Sequence, residues 1–279
     1  MRTFGSFVLL ASLAATGTAN AADAADYAAC FKAETPKALI AACTPIIDDP
    51  SVSGEDRALP LIYRGRALRQ LREFDRAIAD FTEALRINRN HPEPWVDRAT
   101  AHAGKREYAP ALADFAEAIR ADPGYIYSYV GRAATYRVTG DIDKAVADYG
   151  KVIELAPVNP AGYIGRADAY RVKGEYDAAI ADYTKGIDLF AERKLGRADA
   201  RYFAGRGVAH LGKKDLDLAI ADLSEAIAIN PRFAAAWNNR AAAWRDKGDN
   251  EKAVADSRKA FELGLEEARD QIVKLGGTL

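Results

Sequence analysis

Apolar and small residues return along this chain at helical spacing, in segments that copy one another. Six of them read RAIADFTEAL from Arg76, PALADFAEAI from Pro110, KAVADYGKVI from Lys144, AAIADYTKGI from Ala178, LAIADLSEAI from Leu218 and KAVADSRKAF from Lys252. In the first, Ala77, Ile78, Phe81, Ala84 and Leu85 fall at i, i+1, i+4, i+7 and i+8, one face of an α-helix. Ala77, Ala111, Ala145 and Ala179 are 34 residues apart; Ala219 follows after 40 and Ala253 after 34 again. A fixed period of this length marks one supersecondary unit stacked on copies of itself. Gly140-Asp141, Gly174-Glu175 and Gly248-Asp249 precede three of the segments. Glycine supplies the left-handed residue that ends a helix, and an acidic residue suits the start of the next. The pattern therefore predicts helical hairpins, each an A helix followed by a B helix.

With Ala77 and its equivalents counted as repeat position 20, position 4 holds Leu61, Trp95, Tyr129, Tyr163, Phe203 and Trp237. Position 8 holds Gly65, Ala99, Ala133, Ala167, Gly207 and Ala241. Position 24 holds Phe81, Phe115, Tyr149, Tyr183, Leu223 and, as a departure, Ser257; position 27 holds Ala84, Ala118, Val152, Gly186, Ala226 and Ala260. Closing prolines are present as Pro123, Pro157 and Pro231. This pattern resembles the tetratricopeptide repeat, over residues 58 to about 264. The resemblance implies an all-α fold, a right-handed α-solenoid of stacked hairpins. Small residues at positions 8 and 20 let the two helices of a hairpin approach closely, and no single hairpin buries both its faces, so neighbours must stack.

The flanks extend this picture. Arg2, the apolar run Phe4 to Ala15 and the small-residue ending Ala19-Asn20-Ala21 describe a secretory signal peptide over residues 1–21, with the mature chain starting at Ala22. An uncleaved anchor is the alternative, although the run is short for a membrane span. Residues 22–57 read as a degenerate hairpin in which AACTPII, from Ala41, copies ADFTEAL and Cys43 stands in the place of Phe81. Thr35 is placed to cap its second helix, Pro36 to open it and Pro45 to distort it. The chain has two cysteines, Cys30 and Cys43. In an exported protein they are expected to form a disulfide, although their unequal distances from the turn strain its reach; two buried thiols are the alternative. An insertion near 190–199 predicts a longer B helix or a larger loop. Leu265, Ala268, Ile272 and Leu275 predict a C-terminal capping helix within 265–279.

Charge limits the choice of function. The 39 basic residues nearly balance the 40 acidic, so no basic excess points to nucleic acid. Arginine recurs at position 7 and aspartate at position 23 in every copy: Arg64 with Asp80, Arg98 with Asp114, Arg132 with Asp148, Arg166 with Asp182, Arg206 with Asp222 and Arg240 with Asp256. A structural ion pair bridging A and B helices is expected, because a buried arginine needs a partner. The alternative is a row of arginines aimed at an anion. His102 and His210 share position 11 with Tyr136 and Tyr170 and read as packing residues; with His91 apart from both, no zinc site is expected. There is no G-x-S-x-G, P-loop or dinucleotide-binding motif, and no cofactor or enzymatic activity is expected.

The resemblance further implies that A helices line a groove through positions 2, 5, 9, 12 and 13. The candidate partner-binding residues are Arg66, Arg69, Arg137, Asp168, Arg171, Asn238, Asn239 and Arg245. Such a groove is mildly basic and suits a protein or peptide partner carrying acidic groups, unless these arginines are only a solvated face. Without the leader, no segment crosses a membrane, and the expected location is periplasmic or secreted. The function read from the sequence is an interaction scaffold or adaptor of the bacterial envelope. A periplasmic chaperone holding unfolded clients, or a non-catalytic subunit of an envelope enzyme, are its rivals.

Overall fold

The structure is a computed structural model that describes residues 23–193 and 195–278; the predicted leader lies outside the described residues. The described residues form fifteen α-helices and no strand. They divide into two compact units, one ending at Ile87 and one beginning at Asn88.

The first unit contains α1 (Ala24–Lys32), α2 (Pro36–Asp48), α3 (Gly54–Gln70) and α4 (Phe74–Ile87). Asp23 closes a capping box on α1, and Thr35 caps α2 by accepting from the Ala38 amide, with Pro36 at the first turn. Cys30 and Cys43 are joined in a disulfide, fully buried, with Cα atoms 4.7 Å apart. Their unequal distances from the turn do not separate them. Nor does Pro45 break α2, which continues through it to Asp48. Arg64 of α3 bonds Thr44 of α2 at 3.1 Å, one residue beyond Cys43.

The second unit holds five hairpins: α5 (Pro92–Gly104) with α6 (Tyr108–Ala121), α7 (Ile126–Thr139) with α8 (Ile142–Leu155), α9 (Pro160–Lys173) with α10 (Tyr176–Glu192), α11 (Ala200–Lys213) with α12 (Leu216–Ile229), and α13 (Ala234–Asp246) with α14 (Asn250–Glu262). The insertion is shared: α10 has 17 residues where α8 has 14, and the loop that follows is longer as well. A short α15 (Ala268–Lys274) packs on α14 through the fully buried Ala268 and Ile272. It starts later than the apolar pattern suggests, because Gly264 turns left-handed and the Leu265 amide is spent on the Ala260 carbonyl, closing α14.

All six hairpins turn in one way. Position 15 is left-handed at Gly140, Gly174 and Gly248, as the pattern predicts, and also at Arg72, Arg106 and Lys214, with φ of 64 to 67°. The acidic residue that follows donates its amide back to position 11, as in Asp141 to Tyr136 and Asp215 to His210. The small residues at positions 8 and 20 meet in the seam: Ala99, Ala111, Ala133, Ala145, Ala167 and Ala179 have no exposed surface.

Neighbouring hairpins are held by a contact the repeat pattern did not reveal. Position 6 is glycine in three successive copies, Gly131, Gly165 and Gly205. A Cβ there would sit 2.3 Å from the ring of Phe115, 2.3 Å from Tyr149 and 2.5 Å from the Tyr183 hydroxyl, respectively. Each ring belongs to the preceding B helix, so the missing side chain is the seat of that ring. The aromatic residue at position 4 pins the turn between repeats, donating to the carbonyl six residues back: Trp95 to Arg89 (3.0 Å), Tyr129 to Pro123 (3.1 Å), Tyr163 to Pro157 (3.2 Å) and Trp237 to Pro231 (2.9 Å).

Candidate functional site

The repeating charges are used inside the hairpins. At every position 7 the arginine Nε and Nη2 grip both oxygens of the aspartate at position 23, at 2.7 to 2.9 Å, in Arg64–Asp80, Arg98–Asp114, Arg132–Asp148, Arg166–Asp182, Arg206–Asp222 and Arg240–Asp256. The aspartates are buried and the arginines partly so. Nη1 reaches back to the preceding repeat where a hydroxyl waits: Arg206 to Thr184 (3.0 Å) and Arg240 to Ser224 (2.9 Å). Several guanidinium groups also lie over the ring at position 4, as in Arg98 over Trp95 and Arg240 over Trp237, both at 4.9 Å. The partner aspartate raises the pKa of Arg64, Arg132, Arg166 and Arg206 above the ordinary arginine value. These arginines are the mortar of the hairpins, not a row of anion receptors.

The histidines sit at the hairpin turns. His102 Nδ1 is 2.7 Å from Glu107, and buried His210 has Nδ1 3.6 Å from Asp215 and Nε2 3.8 Å from Asp222. Among the described residues no group of three or more His, Cys, Asp or Glu could hold a metal ion, and no helix is long and apolar enough to cross a membrane.

In the second unit, successive A helices touch one another, α5 to α7, α7 to α9, α9 to α11 and α11 to α13, while each B helix packs mainly against the A helices that flank it. The A helices therefore form the inner side of this unit. The candidate residues are spread along the chain. Arg66 and Arg69, half-buried on α3, belong to the first unit. Asn238 and Asn239 are half-buried on α13, and Arg245 on the same helix is engaged by Asp246 at 2.7 Å, which also receives Lys214 at 2.9 Å.

Three candidates are brought together, on α7 and α9. Arg137 donates Nη1 to Asp168 at 2.5 Å across the repeat junction. The other Asp168 oxygen accepts the Tyr183 hydroxyl, and that hydroxyl oxygen lies 3.4 Å from Arg171 Nε. Tyr183 reaches this face because its ring passes over Gly205. Burial, seconded by the Asp168 charge, pushes its phenol well above the ordinary tyrosine range. Tyr149 lies in the same register over Gly165; burial raises its pKa and the neighbouring Arg137 opposes the rise. Arg137 is therefore a paired, half-buried cation rather than a free one. Around the cluster, Val138 and Val172 at position 13 are 63% and 56% exposed, and Tyr127 at position 2 is 53% exposed. Sequence reading missed the two tyrosines and the valines. The signal for the tyrosines was present, as glycine at position 6 following tyrosine at position 24 of the copy before.

A further charged row also escaped sequence reading. Lysine at position 14 meets the acidic residue at position 18 of the preceding repeat, in Lys173–Asp143 (2.8 Å), Lys213–Asp177 (2.5 Å) and Lys247–Asp217. These pairs are exposed to water and screened by salt, so each contributes little to stability.

Residues 131–193 and 204–262 match a tetratricopeptide repeat family model, and residues 58–91 match a second one. No curated protein matches the sequence. Among solved structures, a tetratricopeptide repeat protein from Parabacteroides merdae superposes with a TM-score of 0.65 at 18% identity, covering 90% of this chain and 95% of that one. YrrB, a TPR protein with an unusual peptide-binding site, gives 0.56 at 19% identity over 70% of this chain and 97% of its own. The MamA protein gives 0.53 at 21% identity over 67% and 97%. At these identities the likeness is one of fold, and that fold is used for protein–protein interaction. The family models together span more than half of the chain, and their repeats coincide with the stacked hairpins: this chain belongs to the tetratricopeptide repeat family.

Proposed function

We propose that this protein is a non-catalytic adaptor of the bacterial envelope that holds an extended protein or peptide segment against the A helices of its second unit. The observation that carries this reading is a division of labour among side chains. The arginines and aspartates that repeat are spent on each other, whereas α7 and α9 present valines at one register to solvent beside a charged cluster that occurs once. Apolar side chains left in water on neighbouring helices, rimmed by polar groups, are what a partner covers. The leader read from the sequence and the buried Cys30–Cys43 disulfide support an oxidising compartment.

A photoreactive amino acid placed at Val172 or Val138 tests the surface, with Lys185 on the exposed side of α10 as control. Cross-linking in intact cells at the two valine positions, and not at Lys185, is the expected result. Equal or no cross-linking at all three positions refutes the reading. A discrete cross-linked band marks an adaptor; a continuous smear marks a holding chaperone. Fractionation of the same cells, with N-terminal sequencing starting at Ala22, tests the location.

A further inference from the structure

Of the three cluster residues, Arg171 alone lacks a charged partner. Arg137 is spent on Asp168, and Asp168 is spent on Arg137 and Tyr183. Arg171 makes one long contact, from Nε to the Tyr183 hydroxyl oxygen at 3.4 Å, and its Nη1 and Nη2 meet no acceptor among the described residues. Its side chain is half-buried, so its donors are held in place and partly stripped of water. Other arginines of this face are differently placed: Arg201 is gripped by Asp199 at 2.9 Å, and Arg245 by Asp246 at 2.7 Å. With two arginines and one aspartate the cluster keeps one net positive charge, and that charge resides at Arg171.

We infer that Arg171 is the anchor for an acidic side chain, an Asp or Glu carried within an extended peptide segment whose small apolar neighbours lie on Val138 and Val172. A planar guanidinium with both terminal nitrogens free matches a carboxylate through two parallel hydrogen bonds. Asp168 prevents the phenol of Tyr183 from turning its proton toward Arg171, so the phenol oxygen faces Nε as an acceptor and orients the fork. Tyr183 is thus a positioning residue. The carboxylate comes from a side chain rather than a chain terminus because the A-helix face continues on both sides of α9, through α7 and α11, and nothing closes the path at Arg171. The inference rests on the proposed use of the A-helix face and specifies what it takes.

The test is a random dodecapeptide library displayed between two folded domains, so that no free terminal carboxylate is offered, selected on the intact protein. The expected outcome is one fixed Asp or Glu flanked by small apolar residues. Synthetic peptides from that selection should bind about tenfold more weakly when the acid is changed to its amide, and by a similar factor to Arg171→Gln, the usual scale for a charge-assisted pair. Arg171→Lys should recover part of the loss. Tyr183→Phe should weaken binding severalfold while the acidic preference stays. Peptides that bind α7 and α9 without an acid, or whose acid preference survives Arg171→Gln, overturn the inference and leave the adaptor reading intact. A preference seen only with a free C-terminus overturns it too. If the intact protein selects no peptide, both fall. The acid-to-amide peptide series decides the matter on the unmodified protein even where a variant fails to fold.

Discussion

Removing one member of an Arg–Asp pair should cost more than replacing both. In the α7–α8 hairpin, Arg132 Nε and Nη2 each lie 2.7 Å from an oxygen of Asp148. The side chains are 23% and 9% exposed. Breaking a fully buried pair costs about 3–5 kcal/mol. Arg132→Ala leaves Asp148 enclosed with no cation, so about 3 kcal/mol is expected, the low end of that range. Asp148→Ala is milder, roughly 1.5–2 kcal/mol, because Arg132 reaches water and keeps the faces of Tyr129 and Tyr136 at 5.9 Å. The double change Arg132→Met with Asp148→Leu fills the seam with apolar volume and should cost about 1 kcal/mol or less. Urea unfolding of wild type, Arg132→Met, Asp148→Leu and their combination closes the cycle and gives the coupling, and hydrogen exchange of α7 and α8 localises it, since repeat arrays need not unfold as one unit. If the two single costs add in the double variant to within about 0.5 kcal/mol, the pair is not coupled and the reasoning fails. The arginine pKa is raised by its partner, so its share of stability is fully present below the ordinary arginine value and is lost only above it. The coupling should therefore be the same at pH 6 and pH 9.

Three other outcomes follow from the structure. Reduction of Cys30–Cys43, which spans 13 residues, should weaken the first unit by about 3 kcal/mol and leave exchange in α9–α14 unchanged; free thiols that alkylate in the unreduced native protein would remove the basis for this. Gly165→Ala puts a Cβ 2.3 Å from the Tyr149 ring and should lose about 1–2 kcal/mol after the gain in helix propensity, with Tyr149→Leu restoring it; an Ala variant as stable as wild type means the ring does not sit there. Tyr183 has its pKa raised by burial first and by Asp168 second, so its neutral form favours folding: this contribution is complete below pH 10 and is lost as pH rises beyond it. Absorbance titration at the phenolate band should show Tyr183 ionising after the exposed tyrosines, and a titration in which all tyrosines ionise together contradicts its burial.

What the sequence made legible is what the repeat makes redundant. The hairpins, their small-residue seams and the Arg–Asp spacing each appear six times, so chance at one copy is averaged away. Position 15 shows the limit of that method. Glycine announces the left-handed residue in three copies, but Arg72, Arg106 and Lys214 adopt it without glycine, because the turn's hydrogen bonds dictate the conformation at a modest cost to the residue placed there. The capping helix was displaced for a similar reason, since an apolar period cannot tell a helical Leu265 from one that closes the helix before it. The cluster on α9 was half legible. Arg137, Asp168 and Arg171 stood at groove positions, but Tyr183 comes to that face over a glycine in the next repeat, and that glycine at position 6 marks only three of the six copies, too few for the repeat pattern to single out.

Repetition also separates scaffold from site. An Arg–Asp pair found in every hairpin answers a demand every hairpin makes, the bridging of its own two helices. Asp168 answers no such demand: position 9 is Arg66, Thr100, Ala134, Val208 and Ala242 in the other copies, and those hairpins close without a carboxylate there. Its presence brings Arg137 and Tyr183 to one point, and the cost is two polar groups partly removed from water on a face where alanine serves elsewhere. What the arrangement yields in return is an Arg171 held from behind and open in front. A stack of equivalent hairpins offers equivalent faces; the departure at α9 breaks that equivalence, and on the proposed reading it would give an extended partner a register, one repeat at which its charge belongs and four in the same unit at which it does not.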